Sequence, residues 1–294
     1  MIADLAGALS TEAIGASTVA YDPAIHSLKS FKGQRIVSDN VRHLLRGSSL
    51  VNTSGIQDIY SVRCVPQVHG GIREALEYAS HIAKIELNSV TDNPVFIKNE
   101  ETNLVEVMAG GNFHGESVGI AMDALAIAVS ELANISDRRI AALLDDRFNN
   151  GLPAFLRVTE KMRTGLMILQ YTTASLVSEN KVLAHPASVD SVPTSANTED
   201  FVDMSSVSAR KVVDILDNIK HVLAIELMVA AQAIDLRDKS KNGTNLGTGT
   251  KVVYDFVHQK VPMLKIDTYY KPYVDGLVDD LYDLITRDGL EFIK

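Results

Sequence analysis

Three polar side chains recur at intervals of three residues in the stretch IQDIYSVRC, residues 56–64: Gln57, Tyr60 and Arg63. If the stretch is helical, the three lie on one flank and span about 120° of arc, because each residue turns a helix by about 100°. An amide, a phenol and a guanidinium on one flank suit a small polar anion. The alternative is an ordinary polar helix face, with Cys64 as a small buried residue.

Two further segments carry side chains that could contribute to such a site. GNFHGE, residues 111–116, offers Phe113 as a pocket wall and His114 as a base, although ordinary core packing would explain both. TSANTED, residues 194–200, offers Glu199 and Asp200, whose carboxylates could face a ligand or simply cap the next helix. The eight histidines and one cysteine lack metal-binding spacing, and no nucleophile elbow or phosphate-loop motif occurs, so we expect no metal site.

Long helices must position these segments. Apolar residues recur at helical spacing over four stretches, and no stretch shows the alternation that is typical of a strand. The four predicted helices cover residues 66–90, 116–145, 162–184 and 205–236. The last is apolar on most sides, which is typical of a central helix or of one buried in an oligomer.

The segments between these helices are short or polar. TDNPVF, residues 91–96, predicts a turn followed by a short extended piece, and residues 183–200 form a long polar loop. The sequence therefore predicts an all-α fold, a bundle of long, mostly antiparallel helices that forms oligomers. Residues 1–236 would form the bundle, and residues 237–294 a polar linker and C-terminal helices.

Composition narrows the class of protein. Of 294 residues, 46% are hydrophobic, so a large core can be buried, and the net charge of −9 argues against a general nucleic-acid or lipid-headgroup surface. The single cysteine fits a reducing compartment, so we expect a cytoplasmic protein. The two longest apolar stretches carry Asp123 and Glu131, or Glu226, so we expect no membrane span.

Six segments, taken in order, resemble a known family. They are IQDIYSVRCVPQVHGG, ELNSVTDNPVF, GNFHGE, ELANISDRRIAALLD, GLPAFL and QYTTASLVSENKVLAHPASVDSVPTSANTED. They closely resemble the histidine ammonia-lyases of the aromatic amino acid ammonia-lyase family. The resemblance implies an all-α tetramer that converts L-histidine to urocanate and ammonia. It also implies a methylidene-imidazolone electrophile, made from an internal Ala-Ser-Gly, and active sites assembled from several subunits.

The resemblance assigns a role to each candidate residue. Arg63 would pair with the substrate carboxylate, which a guanidinium can hold in a bidentate fork. Gln57 would orient the substrate, and Phe113 would line the site. Tyr60 would act beside the prosthetic group, and Glu199 would meet the imidazole ring, so these two are the expected catalytic residues.

The sequence departs from the family pattern in one large way and two small ones. No Ala-Ser-Gly occurs in the 294 residues, so we expect a complementary N-terminal lyase chain to supply the electrophile and the base. Thr198 stands where the family usually has Gln, and Phe201 where histidine lyases usually have His. Two alternatives therefore stay open: a non-catalytic helical relative or remnant, and a lyase or aminomutase for another aromatic amino acid.

Overall fold

The computed structural model describes residues 1–55, 57–238 and 245–294. Within these ranges the chain forms ten α-helices and one two-stranded sheet. The helices are α1 (Ile2–Ile14), α2 (Pro23–Ser27), α3 (Lys32–Leu44), α4 (Tyr60–Arg63), α5 (Val65–Glu86), α6 (Glu116–Leu144), α7 (Met167–Leu183), α8 (Ser205–Asp238), α9 (Thr248–His258) and α10 (Lys271–Leu284). The strands are β1 (Val95–Lys98) and β2 (Val105–Met108).

The predicted all-α bundle is confirmed. The four long predicted helices correspond to α5, α6, α7 and α8, with ends that differ by up to five residues from the sequence expectation. Helix α8 lies at the centre, against α6, α1, α7 and α10. Its second half, from Val222 to Ile234, is buried at every position, because it is apolar on most sides and rich in alanine, and its two polar residues, Glu226 and Gln232, are hydrogen-bonded inside the core.

The hairpin of β1 and β2 contains the short extended piece that was predicted within residues 91–96, and it adds a second strand that no sequence pattern predicted. The two strands pair antiparallel, with Val95 opposite Met108 and Lys98 opposite Val105. Most of their side chains are exposed on both faces. A strand that buries neither face needs no alternation of apolar and polar residues, so the pattern that predicts strands is absent here.

Helix α6 is, within the described ranges, the one helix long and apolar enough to cross a membrane by length and composition. The core helix of a bundle passes the same test, and half of its most apolar window is buried inside the fold. It also carries Asp123, Asp137 and Arg139, all buried against polar partners from other segments. The packing is that of a core helix.

The C-terminal segment packs onto the bundle. Helix α9 contacts α1, α3 and α8, and α10 contacts α8. The backbone of Lys294 exchanges hydrogen bonds with the Asn40 side chain of α3. Residues 239–244 of the predicted polar linker lie outside the described residues.

Candidate active site

Helix α4 presents the first two candidate residues. It is a single turn, so Tyr60 and Arg63, three residues apart, lie one above the other, and the guanidinium carbon of Arg63 is 5.4 Å from the centroid of the Tyr60 ring. This is a cation–π contact. Gln57 precedes the helix in a bend and is exposed, so the expectation of one helical flank holds for Tyr60 and Arg63 and is wrong for Gln57.

An open pocket of about 550 Å³ lies beside Tyr60. Its lining joins the α4 segment to the middle of α6 and the end of α7: Tyr60, Ser61, Cys64, Val68, Glu131, Asn134, Ile135, Arg138 and Lys181. Tyr60 is 74% exposed, and its hydroxyl makes no hydrogen bond with any described residue. Cys64 is half-buried and faces this pocket, so the expectation that it is buried is wrong.

Arg63 has no carboxylate partner within residues 1–55, 57–238 and 245–294. Every buried arginine of a stable core needs such a partner or several carbonyl acceptors. Arg63 is half-exposed instead and stacks only on Tyr60. A guanidinium in this state is free to bind an external anion in a bidentate fork.

The loop before α4 is tied to the N-terminal part of the chain. The Asp58 carboxylate accepts hydrogen bonds from the Ser17 amide at 2.7 Å and from the Ser54 hydroxyl at 2.5 Å. Gln57 is the neighbour of Asp58, so this anchor fixes the backbone from which the Gln57 side chain extends. The sequence offered no signal for the contact with Ser17, because the two residues lie 41 positions apart.

The GNFHGE segment, at the start of α6, meets residues 201–203, which directly follow the TSANTED segment. The rings of His114 and Phe201 stack with centroids 5.8 Å apart. The Asp203 carboxylate accepts from the Gly115 amide and from the Ser205 amide, both at 2.9 Å. Phe113 is 56% exposed beside them. The two segments that were expected to contribute Phe113 and Glu199 are therefore neighbours within one chain.

Glu199 is held by its own loop. The Thr194 hydroxyl donates to its carboxylate at 2.6 Å, and the two backbones form an antiparallel bridge. Hydrogen bonds from Thr194 and then Ser195 lower the pKa of Glu199, so it is a fixed and ionised carboxylate on the surface. The alternative that Glu199 and Asp200 cap the next helix is wrong, because Asp203 accepts from the first amide of α8.

The turn before Glu199 is strained. Ser195, Ala196 and Asn197 have φ angles of 48°, 54° and 67°, in the left-handed region that costs a non-glycine residue about 1–2 kcal/mol. A chain keeps such strain only where surrounding contacts enforce it, and it occurs most often at functional sites. The strain thus agrees with a binding role for the adjacent Glu199.

Asp123 of α6 anchors this loop to the bundle. Its carboxylate accepts from the Ser188 amide at 2.7 Å, the Ser208 hydroxyl at 2.9 Å and the Lys211 ammonium at 2.9 Å. The residue is 3% exposed. An acidic residue such as Asp123, within an apolar stretch of a long helix, is itself a sequence signal of a buried polar contact.

The candidate residues form two groups rather than one. The carbonyl of Ser61, on α4, accepts from Arg139 near the end of α6, whereas Asp203 binds Gly115 at its start. Gly115 and Arg139 are 24 positions apart, about 36 Å at about 1.5 Å per residue. The pocket beside Tyr60 reaches Glu131, which is 16 positions from Gly115 or about 24 Å, so within one chain the Tyr60–Arg63 pair and the Phe113–Glu199 group contact well-separated parts of α6.

Comparison with known proteins identifies the family of the chain. The family model described as aromatic amino acid lyase matches residues 1–259. A histidine ammonia-lyase of Chloroflexus aurantiacus is 47% identical over 92% of this chain and 53% of its own length. Histidine ammonia-lyase 2 of Fusobacterium nucleatum is 47% identical over 99% of this chain and 56% of its own length.

Solved structures of related enzymes have the same fold as this chain. The histidine ammonia-lyase of Trypanosoma cruzi superposes with a TM-score of 0.87 at 39% identity, over all of this chain and 54% of that one. A tyrosine aminomutase from Streptomyces globisporus gives 0.88 at 32% identity, over 97% of this chain and 58% of that one. The chain spans about half the length of these relatives. The match over residues 1–259, with the same helical fold, means that the chain belongs to the aromatic amino acid lyase family.

Proposed function

We propose that this chain contributes the C-terminal half of a histidine ammonia-lyase, which converts L-histidine to urocanate and ammonia. The observation that carries the proposal is the exposed Arg63–Tyr60 pair, without a carboxylate partner in the described chain, in a sequence that matches histidine ammonia-lyases over nearly its full length. A scaffold has no physical need for an exposed cation held over a phenol beside an open pocket.

Each residue has a chemical task in this proposal. Arg63 binds the substrate carboxylate through two parallel N–H···O bonds, and Gln57 orients the substrate. Glu199 accepts a hydrogen bond from an imidazole N–H, which a phenyl ring cannot donate, and Phe113 lines the pocket. The β-proton of histidine is weakly acidic, so its removal requires a base, an electrophile and fixed geometry together.

The residues around Tyr60 fit a methylidene-imidazolone group supplied from outside the chain. The Tyr60 hydroxyl is exposed at the open pocket and is free of hydrogen bonds to described residues, so it can face such a group. The group supplies the electrophile that makes the amine a leaving group. The 294 residues contain no Ala-Ser-Gly, so we propose that a complementary N-terminal lyase chain provides both the electrophile and the base.

Exposed apolar surface supports assembly with other chains. The hairpin exposes Phe96 (71%) and Val107 (62%), and α7 exposes Tyr171 (65%) and Val182 (75%). Apolar side chains that are exposed in groups mark protein–protein interfaces. We therefore infer a tetramer-type assembly. The single cysteine and the net charge of −9 support a cytoplasmic location for it.

The test is formation of urocanate from L-histidine, followed by absorbance. The purified chain is assayed alone and after co-expression with a companion polypeptide that carries Ala-Ser-Gly. We expect turnover only in the pair. Turnover by the chain alone would contradict the need for an external electrophile, and no turnover in either preparation would favour the non-catalytic alternative.

A second candidate activity is a lyase or aminomutase for another aromatic amino acid. The observation in its favour is Phe201, which stacks on His114 where the resemblance leads us to expect a histidine. An apolar ring near Glu199 would suit an apolar substrate ring. L-phenylalanine and L-tyrosine are therefore assayed beside L-histidine in the paired preparation, and the largest kcat/KM identifies the substrate.

A further inference from the structure

Two buried side chains donate hydrogen bonds to the single turn of α4, the helix that presents Tyr60 and Arg63. The Tyr21 hydroxyl donates to the Val62 carbonyl at 2.9 Å, and Arg139 Nη1 donates to the Ser61 carbonyl at 3.2 Å. Both donor side chains are fully buried. A helix of four residues has few hydrogen bonds of its own, so its orientation depends on contacts of this kind.

Arg139 is itself fixed by a buried carboxylate. Its Nε and Nη2 donate to the two oxygens of Glu226 at 2.6 and 2.9 Å. Ser10 and Ser136 donate to the same carboxylate at 2.6 and 2.5 Å. A buried ion pair gives little net stability compared with apolar residues of the same volume. This ion pair instead fixes the position of the Arg139 guanidinium, and its third nitrogen, Nη1, points at α4.

Tyr21 is a comparably fixed donor. Its ring is fully buried, and its oxygen lies 2.9 Å from the Thr11 hydroxyl of α1. Burial raises the pKa of Tyr21 above its ordinary value, so the hydroxyl keeps its proton at neutral pH. The α4 turn is therefore held by two buried donors, Tyr21 and Arg139.

We propose that Tyr21 and Arg139 are positioning residues for the lyase site, which set the orientation of Tyr60 and Arg63 through the carbonyls of Val62 and Ser61. Ser61 follows Tyr60 and Val62 precedes Arg63, so a rotation of either peptide moves the phenol or the guanidinium. The catalytic consequence of this inference rests on the proposed function. The structural consequence, a looser α4 when a donor is lost, does not.

The structural consequence is tested on the 294-residue chain through Cys64, its single cysteine, which follows Arg63 and faces the open pocket. Tyr21→Phe removes only a hydroxyl. Tyr270→Phe is the matched control, because the Tyr270 hydroxyl also donates to a carbonyl, that of Gly165, at 2.9 Å from a buried ring. We expect iodoacetamide to alkylate Cys64 about three- to tenfold faster in Tyr21→Phe and at the wild-type rate in Tyr270→Phe.

Equal alkylation rates in Tyr21→Phe and Tyr270→Phe would overturn the proposal. Arg139→Lys serves as a second variant, should Tyr21→Phe fold poorly. Lysine keeps a positive charge for Glu226 but is a point charge without the fork that also reaches Ser61. The same acceleration is expected, and an unchanged rate in this variant would also count against the proposal.

The catalytic consequence is tested in the chain paired with its Ala-Ser-Gly partner. We expect Tyr21→Phe to lower kcat/KM about three- to tenfold, with a raised KM because Arg63 is displaced, and Tyr270→Phe to keep wild-type values. If Tyr21→Phe and Tyr270→Phe lose the same thermal stability and have the same KM, Tyr21 has only a structural role. If the wild-type pair has no turnover, the proposed function fails, whereas the Cys64 rates still decide whether α4 is positioned in this way.

Discussion

Arg63 illustrates how far the surroundings of one residue determine its role. The side chain is half-exposed, stacks on the Tyr60 ring and has no carboxylate partner within the described ranges. An arginine that stabilised the core would be buried and paired, as Arg139 is with Glu226. The contrast between these two arginines separates a binding role from a structural one.

Arg63→Ala should therefore weaken substrate binding and leave folding nearly intact. A charge-assisted bidentate contact contributes about 1.5–3 kcal/mol, so we expect kcat/KM of the paired enzyme to fall about 10- to 100-fold, mainly through KM. The free energy of unfolding should change by no more than about 1 kcal/mol, because only an exposed cation–π contact is lost. Steady-state kinetics and thermal unfolding measure the two effects.

Arg147→Ala is the matched control for this prediction. Its guanidinium carbon lies 5.7 Å from the centroid of the neighbouring Phe148 ring, and the side chain is exposed, but it pairs with Asp145 away from both candidate groups. Its kinetic constants should equal those of the wild type. An Arg63→Ala chain that fails to fold, beside a normal Arg147→Ala chain, would place Arg63 in the core instead.

Among the helices and strands, the sequence predicted those in which apolar residues repeat at a regular spacing. Helices α5 to α8 were predicted because each buries one face over many turns. The hairpin of β1 and β2 was predicted only as a short extended piece within residues 91–96, because it buries neither face, whereas the start of α5 was predicted at Pro66, one residue from its observed start. The candidate residues were chosen by type and spacing, and their roles came from the family resemblance. The contacts of Asp58 with Ser17, Asp123 with Ser188 and Asp203 with Gly115 join residues 41, 65 and 88 positions apart, which no local pattern reveals.

The loop that carries Glu199 should lose stability when its anchor, Asp123, is replaced. Asp123→Asn removes the charge that binds Lys211 and weakens the contacts to Ser188 and Ser208. Loss of charged hydrogen bonds in a buried position should cost about 2–3 kcal/mol of unfolding free energy at neutral pH. Chemical denaturation measures it, with Asp214→Asn, an exposed position on α8, as a control expected to change little.

The effect of Asp123→Asn should also depend on pH. Burial raises the pKa of Asp123, but the hydrogen bonds from Lys211 and from Ser188 outweigh it, and the net pKa is lower than the ordinary value of 3.8. A carboxyl whose pKa is lowered by folding stabilises the folded state above its unfolded pKa, and this contribution is lost as the pH falls below that value. The stability difference between wild type and variant should therefore shrink from about pH 6 to about pH 3. A difference that stays constant over this range would contradict an ionised Asp123.

In the whole assembly, we propose that the two groups of candidate residues come from different chains. Ser61 binds α6 near its end and Asp203 binds it at its start, about 36 Å away, which is far longer than a histidine molecule. One chain cannot bring Arg63 and Glu199 to the same substrate. A site that contains both therefore takes Arg63 from one copy and Glu199 from another, as expected for active sites shared between subunits.

This division predicts complementation between two impaired variants, assayed at L-histidine well below the wild-type KM, where kcat/KM sets the rate. Arg63→Ala and Glu199→Ala chains, each paired with the Ala-Ser-Gly polypeptide, should have little activity alone. When both are co-expressed and assemble at random, about one quarter of the sites receive wild-type Arg63 from one copy and wild-type Glu199 from another, so about a quarter of wild-type turnover should return. As a control, the two separately assembled variants are mixed without exchange of subunits and should stay impaired. Restored turnover requires the two residues to act from different copies, whereas activity that remains at the level of the single variants would mean that each site draws both residues from one chain.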